Sequence, residues 1–222
     1  MAAGKQRIFY VLIEFPQLSQ TYVANEIATL RADGHEVFVA ALNTPDTHVD
    51  TDVPFEVTKD FDRTVALIRE FKPNVLHGHW LYTVPLLEKL SRKTGFPYTV
   101  RAHSFDITQT GPKAPAWKTF LRRARMLVQY RDTRPPDMAF VVSPFLKQDH
   151  CLGVLTFPYG RHKFLEAGVP EDKVHDCFPV VNIERFYDES PNGEDVMNVG
   201  ACTPKKKMED FIDLAVMVPE RH

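Results

Sequence analysis

The feature that most constrains the fold is a set of short apolar runs that do not alternate with polar residues. Ile8-Phe9-Tyr10-Val11-Leu12-Ile13 is unbroken, and Val37 to Leu42 repeats the pattern. A strand with one wet face would alternate, so these read as strands buried on both faces, the mark of a parallel sheet. Between them lie stripes at helical spacing. Tyr22, Val23, Ile27 and Leu30 form one and Val65, Leu67, Ile68 and Phe71 another, while Val84, Leu86, Leu87 and Leu90 form a third. Gly34 and Gly95 follow the first and third as helix-ending glycines, and Pro73 follows the second. Ser19 or Thr21 is the expected N-cap of the first helix. Strand and helix alternate with short links, so the chain reads as an α/β parallel sheet with helices on both faces.

Three strands end in polar residues. Arg7 to Ile13 breaks into Glu14-Phe15-Pro16-Gln17-Leu18-Ser19, Asn74-Val75-Leu76 runs into His77-Gly78-His79, and Tyr98-Thr99-Val100-Arg101 into Ala102-His103-Ser104-Phe105-Asp106. Open α/β sheets bind ligands outside the carboxyl ends of their strands, so these ends predict one shared cleft. His77 and His79, two apart, share a strand face. No Asp, Glu or Cys stands beside them at ligand spacing, so no metal site is expected.

Composition excludes several classes. The chain of 222 residues carries 27 Lys and Arg against 29 Asp and Glu, a net charge of −2, so no basic field invites nucleic acid. Its 3 cysteines lie far apart, which suits a reducing cytosol better than a disulfide framework. Residues 1–6 lead straight into a strand without the pattern of a signal peptide, and no apolar run approaches the ~20 residues of a membrane span.

Further on, Trp117, Phe120, Leu121, Ala124 and Val128 recur at helical spacing. Arg122, Arg123 and Arg125 lie mostly on other faces, read as a solvated surface, with peripheral contact to anionic lipid on the inner membrane face as the other reading. Met138 to Val142 is read as a buried strand ending at Ser143, residues 151–160 as a loop, Arg161 to Ala167 as a short helix, and Val174 to Val181 as the last strand. The polar stretch 188–195 reads as a linker after a domain of residues 1–187. Residues 196–222 then start a new βα unit, too short for a core of its own.

Six local patterns, in order, resemble one family. Phe15-Pro16-Gln17-Leu18-Ser19-Gln20-Thr21-Tyr22 resembles an F-P-x-x-S-E-T-F opening, with Gln20 where Glu is usual. Gly34-His35-Glu36-Val37, His77-Gly78-His79 and His103-Ser104-Phe105-Asp106 resemble G-H-E-V, H-x-H and H-x-x-D. Gly168-Val169-Pro170-Glu171-Asp172-Lys173-Val174 with Asn182 to Phe186 resembles G-x-P-x-x-K-V and V-D-x-x-R-F, with Asn182 replacing Asp. Val199-Gly200-Ala201-Cys202-Thr203-Pro204-Lys205-Lys206 resembles V-G-R-L-x-x-K-K, with Ala201 where an Arg often meets the diphosphate. Together they resemble the N-terminal half of a retaining GT-B glycosyltransferase of the family 4 type, of the kind that builds polysaccharides of the colanic-acid sort.

The resemblance implies a Rossmann-like acceptor-side domain followed by the start of a second Rossmann-like domain that holds the nucleotide sugar. It implies transfer of a sugar, with retention, from a nucleotide sugar to a saccharide or lipid-linked acceptor, without metal or cofactor beyond the donor. His103 would sit beside the transferred sugar; its other reading is a strand-end cap. Asp106 would orient an acceptor hydroxyl, or cap a helix. Pro16, Gln17, Ser19 and Gln20 would form the substrate-facing loop, which unaided reads as an ordinary βα turn. His77 and His79 would line the cleft. Lys205 and Lys206 would draw the diphosphate, or form a solvated loop. Two alternatives stand: an acceptor-binding half that needs a partner chain, and a GT-B-shaped nucleotide-sugar epimerase.

Overall fold

The computed structural model describes residues 4–47, 49–108, 137–181 and 208–217. It divides into two units, Met1–Val181 and Asn182–His222. In the first unit β1 (Arg7–Glu14), β2 (Glu36–Asn43), β3 (Phe55–Val57), β4 (Val75–His79), β5 (Tyr98–Arg101), β6 (Cys151–Thr156) and β7 (Val174–Asp176) form one sheet. Their order is β3-β2-β1-β4-β5-β6-β7, and every pairing is parallel. The helices are α1 (Thr21–Ala32), α2 (Phe61–Phe71), α3 (Val84–Thr94), α4 (Ser104–Thr108), α5 (Met138–Leu146) and α6 (Arg161–Glu166).

The inner strands are buried on both faces, as the apolar runs predict, while the edge strands β3 and β7 are partly exposed. Alternate residues of β1 enter different cores. Phe9 and Val11 pack with Leu76, Val100, Val65 and Leu87, so α2 and α3 cover that face. Tyr10 and Leu12 pack with Val37, Val39, Val23 and Ile27, so α1 covers the other. Full burial of a side chain such as Ile27 contributes about 1.5–3 kcal/mol. Gly34 takes φ +87° behind α1 and Gly95 φ +82° behind α3, the left-handed values that stop a helix cheaply. At the end of α2 Lys72 does this job with φ 51°, and Asp60 caps the start by accepting from the N–H groups of Asp62 and Arg63.

Several sequence expectations need correction. Met138 to Ser143 is not a strand but most of α5, whose N-cap Asp137 accepts from the N–H of Phe140 at 3.0 Å. Residues 151–156 are not loop but β6, paired between β5 and β7. The strand expected over 174–181 stops at Asp176. Neither Ser19 nor Thr21 caps α1; its N-cap is Gln20, which makes no side-chain capping bond. The helix expected around Trp117, with Arg122, Arg123 and Arg125, lies outside the described residues, as do the linker 188–195, the strand at 196–200 and Lys205 and Lys206. In the second unit α7 (Met208–Met217) is described, with Ile212, Val216 and Met217 exposed.

Candidate active site

The strand order reverses at β1. β2 and β3 lie to one side of it and β4 to β7 to the other, so a crevice opens between the carboxyl ends of β1 and β4. β4 ends there in His79, and β5 runs on through Ala102 to His103. His103 Nε2 lies 3.1 Å from His79 Nδ1, and the rings stack with centroids 5.3 Å apart. Tyr22 from the first turn of α1 and Trp80 complete an aromatic cup, with centroids 4.9 and 5.0 Å from the His103 ring.

The turn after β4 is held under strain. Trp80 has φ 66°, a left-handed conformation that costs a bulky residue about 1–3 kcal/mol. Its N–H donates to the Arg101 carbonyl at 2.8 Å, and the Thr83 hydroxyl donates to its carbonyl at 2.8 Å. Gly78 lets β4 approach α3: a Cβ there would stand 2.7 Å from Leu87 Cδ1 and 2.8 Å from Thr83 Oγ1.

Asp106 has no exposed surface. One carboxylate oxygen accepts from the Leu81 N–H at 2.7 Å, the other from the His103 N–H at 2.7 Å. As the third residue of α4 it reaches back to the residue before the helix, the reverse half of a capping box. Asp106 therefore ties the His103 backbone to the turn after β4, and neither oxygen is presented to a substrate hydroxyl. That is the capping role, the other reading of this residue. Burial pushes its carboxyl up to about 7, against those N–H bonds, which favour the ionised form.

Beneath the histidines, between α1 and the sheet, lies a charged group that sequence reasoning missed. Glu26 projects from α1 toward the sheet. Its Oε1 accepts from the Tyr10 hydroxyl at 2.7 Å and lies 3.4 Å from both His77 Nε2 and His79 Nε2. Its Oε2 lies 3.1 Å from Arg101 Nε. His77 Nδ1 meets Thr99 Oγ1 at 2.7 Å. Burial resists the charge on Glu26, but the two histidines outweigh it and hold its carboxyl well below the usual range. Burial lowers His79 to about 4 and, with His79 and Arg101 nearby, His103 to about 3, so both rings are neutral at pH 7. Burial raises the Tyr22 hydroxyl to about 12, with Asp106 adding to the shift.

The expectation that no carboxylate accompanies the histidines is thus overturned, because Glu26 arrives from a distant helix. One carboxylate oxygen and two imidazole nitrogens lie within 4.8 Å of one another, a donor set that zinc can use. Yet the guanidinium of Arg101 already supplies positive charge to that carboxylate. The missed residues had a signal: Glu26 falls on the buried stripe of Val23 and Ile27, and Arg101 interrupts an apolar strand.

The other predicted substrate residues sit apart. Pro16, Gln17 and Gln20, with Phe15, Val23 and Ile27, line a cavity of about 140 Å³. The Gln17 and Gln20 side chains bond to each other, and the Phe15–Pro16 peptide is cis. Ser19 is exposed, and among the described residues no hydrogen bond ties it to the histidine cluster. The structure therefore gathers His77, His79 and His103 over Glu26, and it leaves Pro16 to Gln20 at a neighbouring cavity.

Residues 19–154 match the model of Glycosyltransferase Family 4. No curated protein matches the sequence. Among solved structures, Anabaena Alr3699/HepE in complex with UDP-glucose is similar at 11% identity and a TM-score of 0.56, over 96% of this chain and 50% of that one. A glycosyltransferase from Rickettsia africae ESF-5 is similar at 12% identity and a TM-score of 0.50, again over 96% of this chain and 50% of that one. This chain spans about half the length of both. At these identities the likeness speaks for the fold.

Proposed function

The chain belongs to Glycosyltransferase Family 4, and on that premise we propose that it forms the acceptor-side half of a GT-B enzyme that moves a sugar from a nucleotide sugar to a saccharide or lipid-linked acceptor with retention. The observation that carries this reading is His103: a neutral imidazole, half-buried in an aromatic cup beyond the carboxyl end of β5 and against His79 of β4. A ring so held can hydrogen-bond a sugar hydroxyl and fix the sugar against the acceptor as the glycosidic bond breaks. The departing diphosphate takes the acceptor proton, so the protein supplies position and electrostatics and no metal. The UDP-glucose held by the Anabaena protein makes uridine diphosphate sugars the first donors to try. Residues 1–187 would be the acceptor domain and 196–222 the first unit of the donor domain, with Lys205 and Lys206 toward the diphosphate.

The test joins this chain to a complete donor-binding half and follows diphosphate release from a panel of nucleotide sugars, with the anomeric configuration of the product read by proton NMR. His103→Ala should lower turnover by at least ~10²-fold and leave donor affinity nearly unchanged. Unchanged turnover in that variant would remove His103 from the reaction. An inverted product would overturn retention.

A further inference from the structure

Glu26 is buried under α1 and stands directly behind the ring that supports His103. Its oxygen is 3.4 Å from His79 Nε2, long for a hydrogen bond but well within the field of an anion. His79 is wholly buried, so no water screens that field. We propose that Glu26 is a positioning residue for His103: acting through His79, its carboxylate fixes which ring nitrogen of His103 carries the proton.

The chain of contacts leaves one consistent arrangement. Glu26 is ionised, held by the Tyr10 hydroxyl and by Arg101. A bare Nε2 lone pair on His79 would face this anion and be repelled, so the single proton of the neutral ring sits on Nε2. His79 Nδ1 is then bare and can only accept. His103 Nε2, 3.1 Å away, must therefore carry its proton and donate. That leaves His103 Nδ1 bare. The ring offers its partner a lone pair, accepting an O–H rather than donating an N–H. A buried carboxylate behind a histidine sets the tautomer in the same way in Ser-His-Asp sites. The inference rests on the sugar-transfer reading only for what meets Nδ1; the tautomer does not depend on it.

Glu26 is one contact removed from His103, and Arg101 makes its own hydrogen bond to the Phe178 carbonyl at 3.2 Å. Glu26→Gln keeps the shape of the side chain and removes its charge. Its amide can turn either an oxygen or an NH₂ toward His79, so both tautomers of the His79–His103 pair become accessible.

The test is nitrogen NMR of the 222-residue chain labelled at its 9 histidines. His35 supplies an internal standard, because its Nδ1 accepts from the Gln6 N–H at 3.0 Å and must be bare. The expected spectrum at pH 7 shows His79 and His103 both with a bare Nδ1, matching His35, and a protonated Nε2. In Glu26→Gln the His79 and His103 signals should move toward values averaged between tautomers, while His35 and His150 stay in place. A protonated His103 Nδ1 in the unsubstituted chain would overturn the proposal, as would His79 and His103 signals unmoved by Glu26→Gln. So would one equivalent of zinc in the purified chain with both His77 and His79 Nε2 unprotonated, since a metal would then occupy the place assigned to the proton. Should Glu26→Gln fail to fold, the spectrum of the unsubstituted chain decides alone. A complete absence of sugar transfer would sink the proposed function and leave these spectra as they are.

Discussion

Replacing Arg101 by Met isolates the electrostatics of the buried cluster. The Arg101 and Glu26 side chains are 8% and 11% exposed, so water does little to screen them. Met fills much of the Arg101 volume but leaves Glu26 buried without its cation. Removing one partner of such a pair costs about 3–5 kcal/mol. For a chain of this length each kcal/mol shifts the midpoint by roughly 2–4 °C, so Tm should fall by about 6–20 °C. The pH dependence gives a second reading. In the native protein the Glu26 carboxyl is depressed, so its contribution is fully present above its unfolded value, near ~4.3, and is lost as pH falls further toward the folded value. In Arg101→Met the carboxyl keeps the Tyr10 hydroxyl and the two histidines that hold it low, so the deficit should persist as the pH is lowered from 7 to 5. Thermal melts followed by circular dichroism at both values measure this. The double variant Glu26→Leu, Arg101→Met removes both charges and should recover most of the loss. A deficit under ~1 kcal/mol for Arg101→Met would refute the argument, and so would a double variant as unstable as the sum of the two.

His79 predicts an acid-sensitive fold: its folded pKa of about 4 lies below the ordinary 6.5, so its contribution is complete above 6.5 and is lost as pH falls toward 4. His79 should contribute about 1.4 kcal/mol per pH unit to the fall in stability across that window, and His79→Gln should reduce the slope measured by urea unfolding by about that amount; an equal slope would count against a buried neutral His79. Gly78→Ala should cost about 1–3 kcal/mol, because the added Cβ would press on Leu87 and Thr83. Urea midpoints decide this, and an unchanged midpoint would mean that α3 yields more easily than its packing suggests.

Much of the sheet was legible because double-sided burial leaves unbroken apolar runs, as in β1 and β2, and because Gly34 and Gly95 mark helix ends. α5 was misread for a reason of the same kind. Met138, Ala139, Phe140 and Val142 are all buried, so the segment has no polar face from which to read a period. Asp137, with Phe140 three residues on, was the available clue. β6 was hidden because Gly153 weakens its pattern; a Cβ there would stand 2.7 Å from the His175 ring and 3.0 Å from the Lys173 carbonyl. At the site, the histidines were visible as strand ends. The Glu26–Arg101 pair was not, because nothing local links a helix residue to a strand that follows much later. Asp106 was visible as a residue with two readings, and only the fold shows that both its oxygens are taken by backbone.

The cluster under α1 also bears on the order in which the chain assembles. β1, α1 and β2 are neighbours in sequence and could close first, with Val23 and Ile27 supplying the apolar seal. Glu26 works against that early closure. Docked on β1 alone, α1 would press a carboxylate against Tyr10 with neither β4 nor β5 present to answer it. The helix gains its full hold only when His77, His79 and finally Arg101 arrive from later in the chain. During synthesis this first fifth of the molecule, through Asn43, would therefore wait, loosely closed, for a strand not yet made. The full set of contacts made by Glu26 of α1 thus needs a sheet built as far as β5.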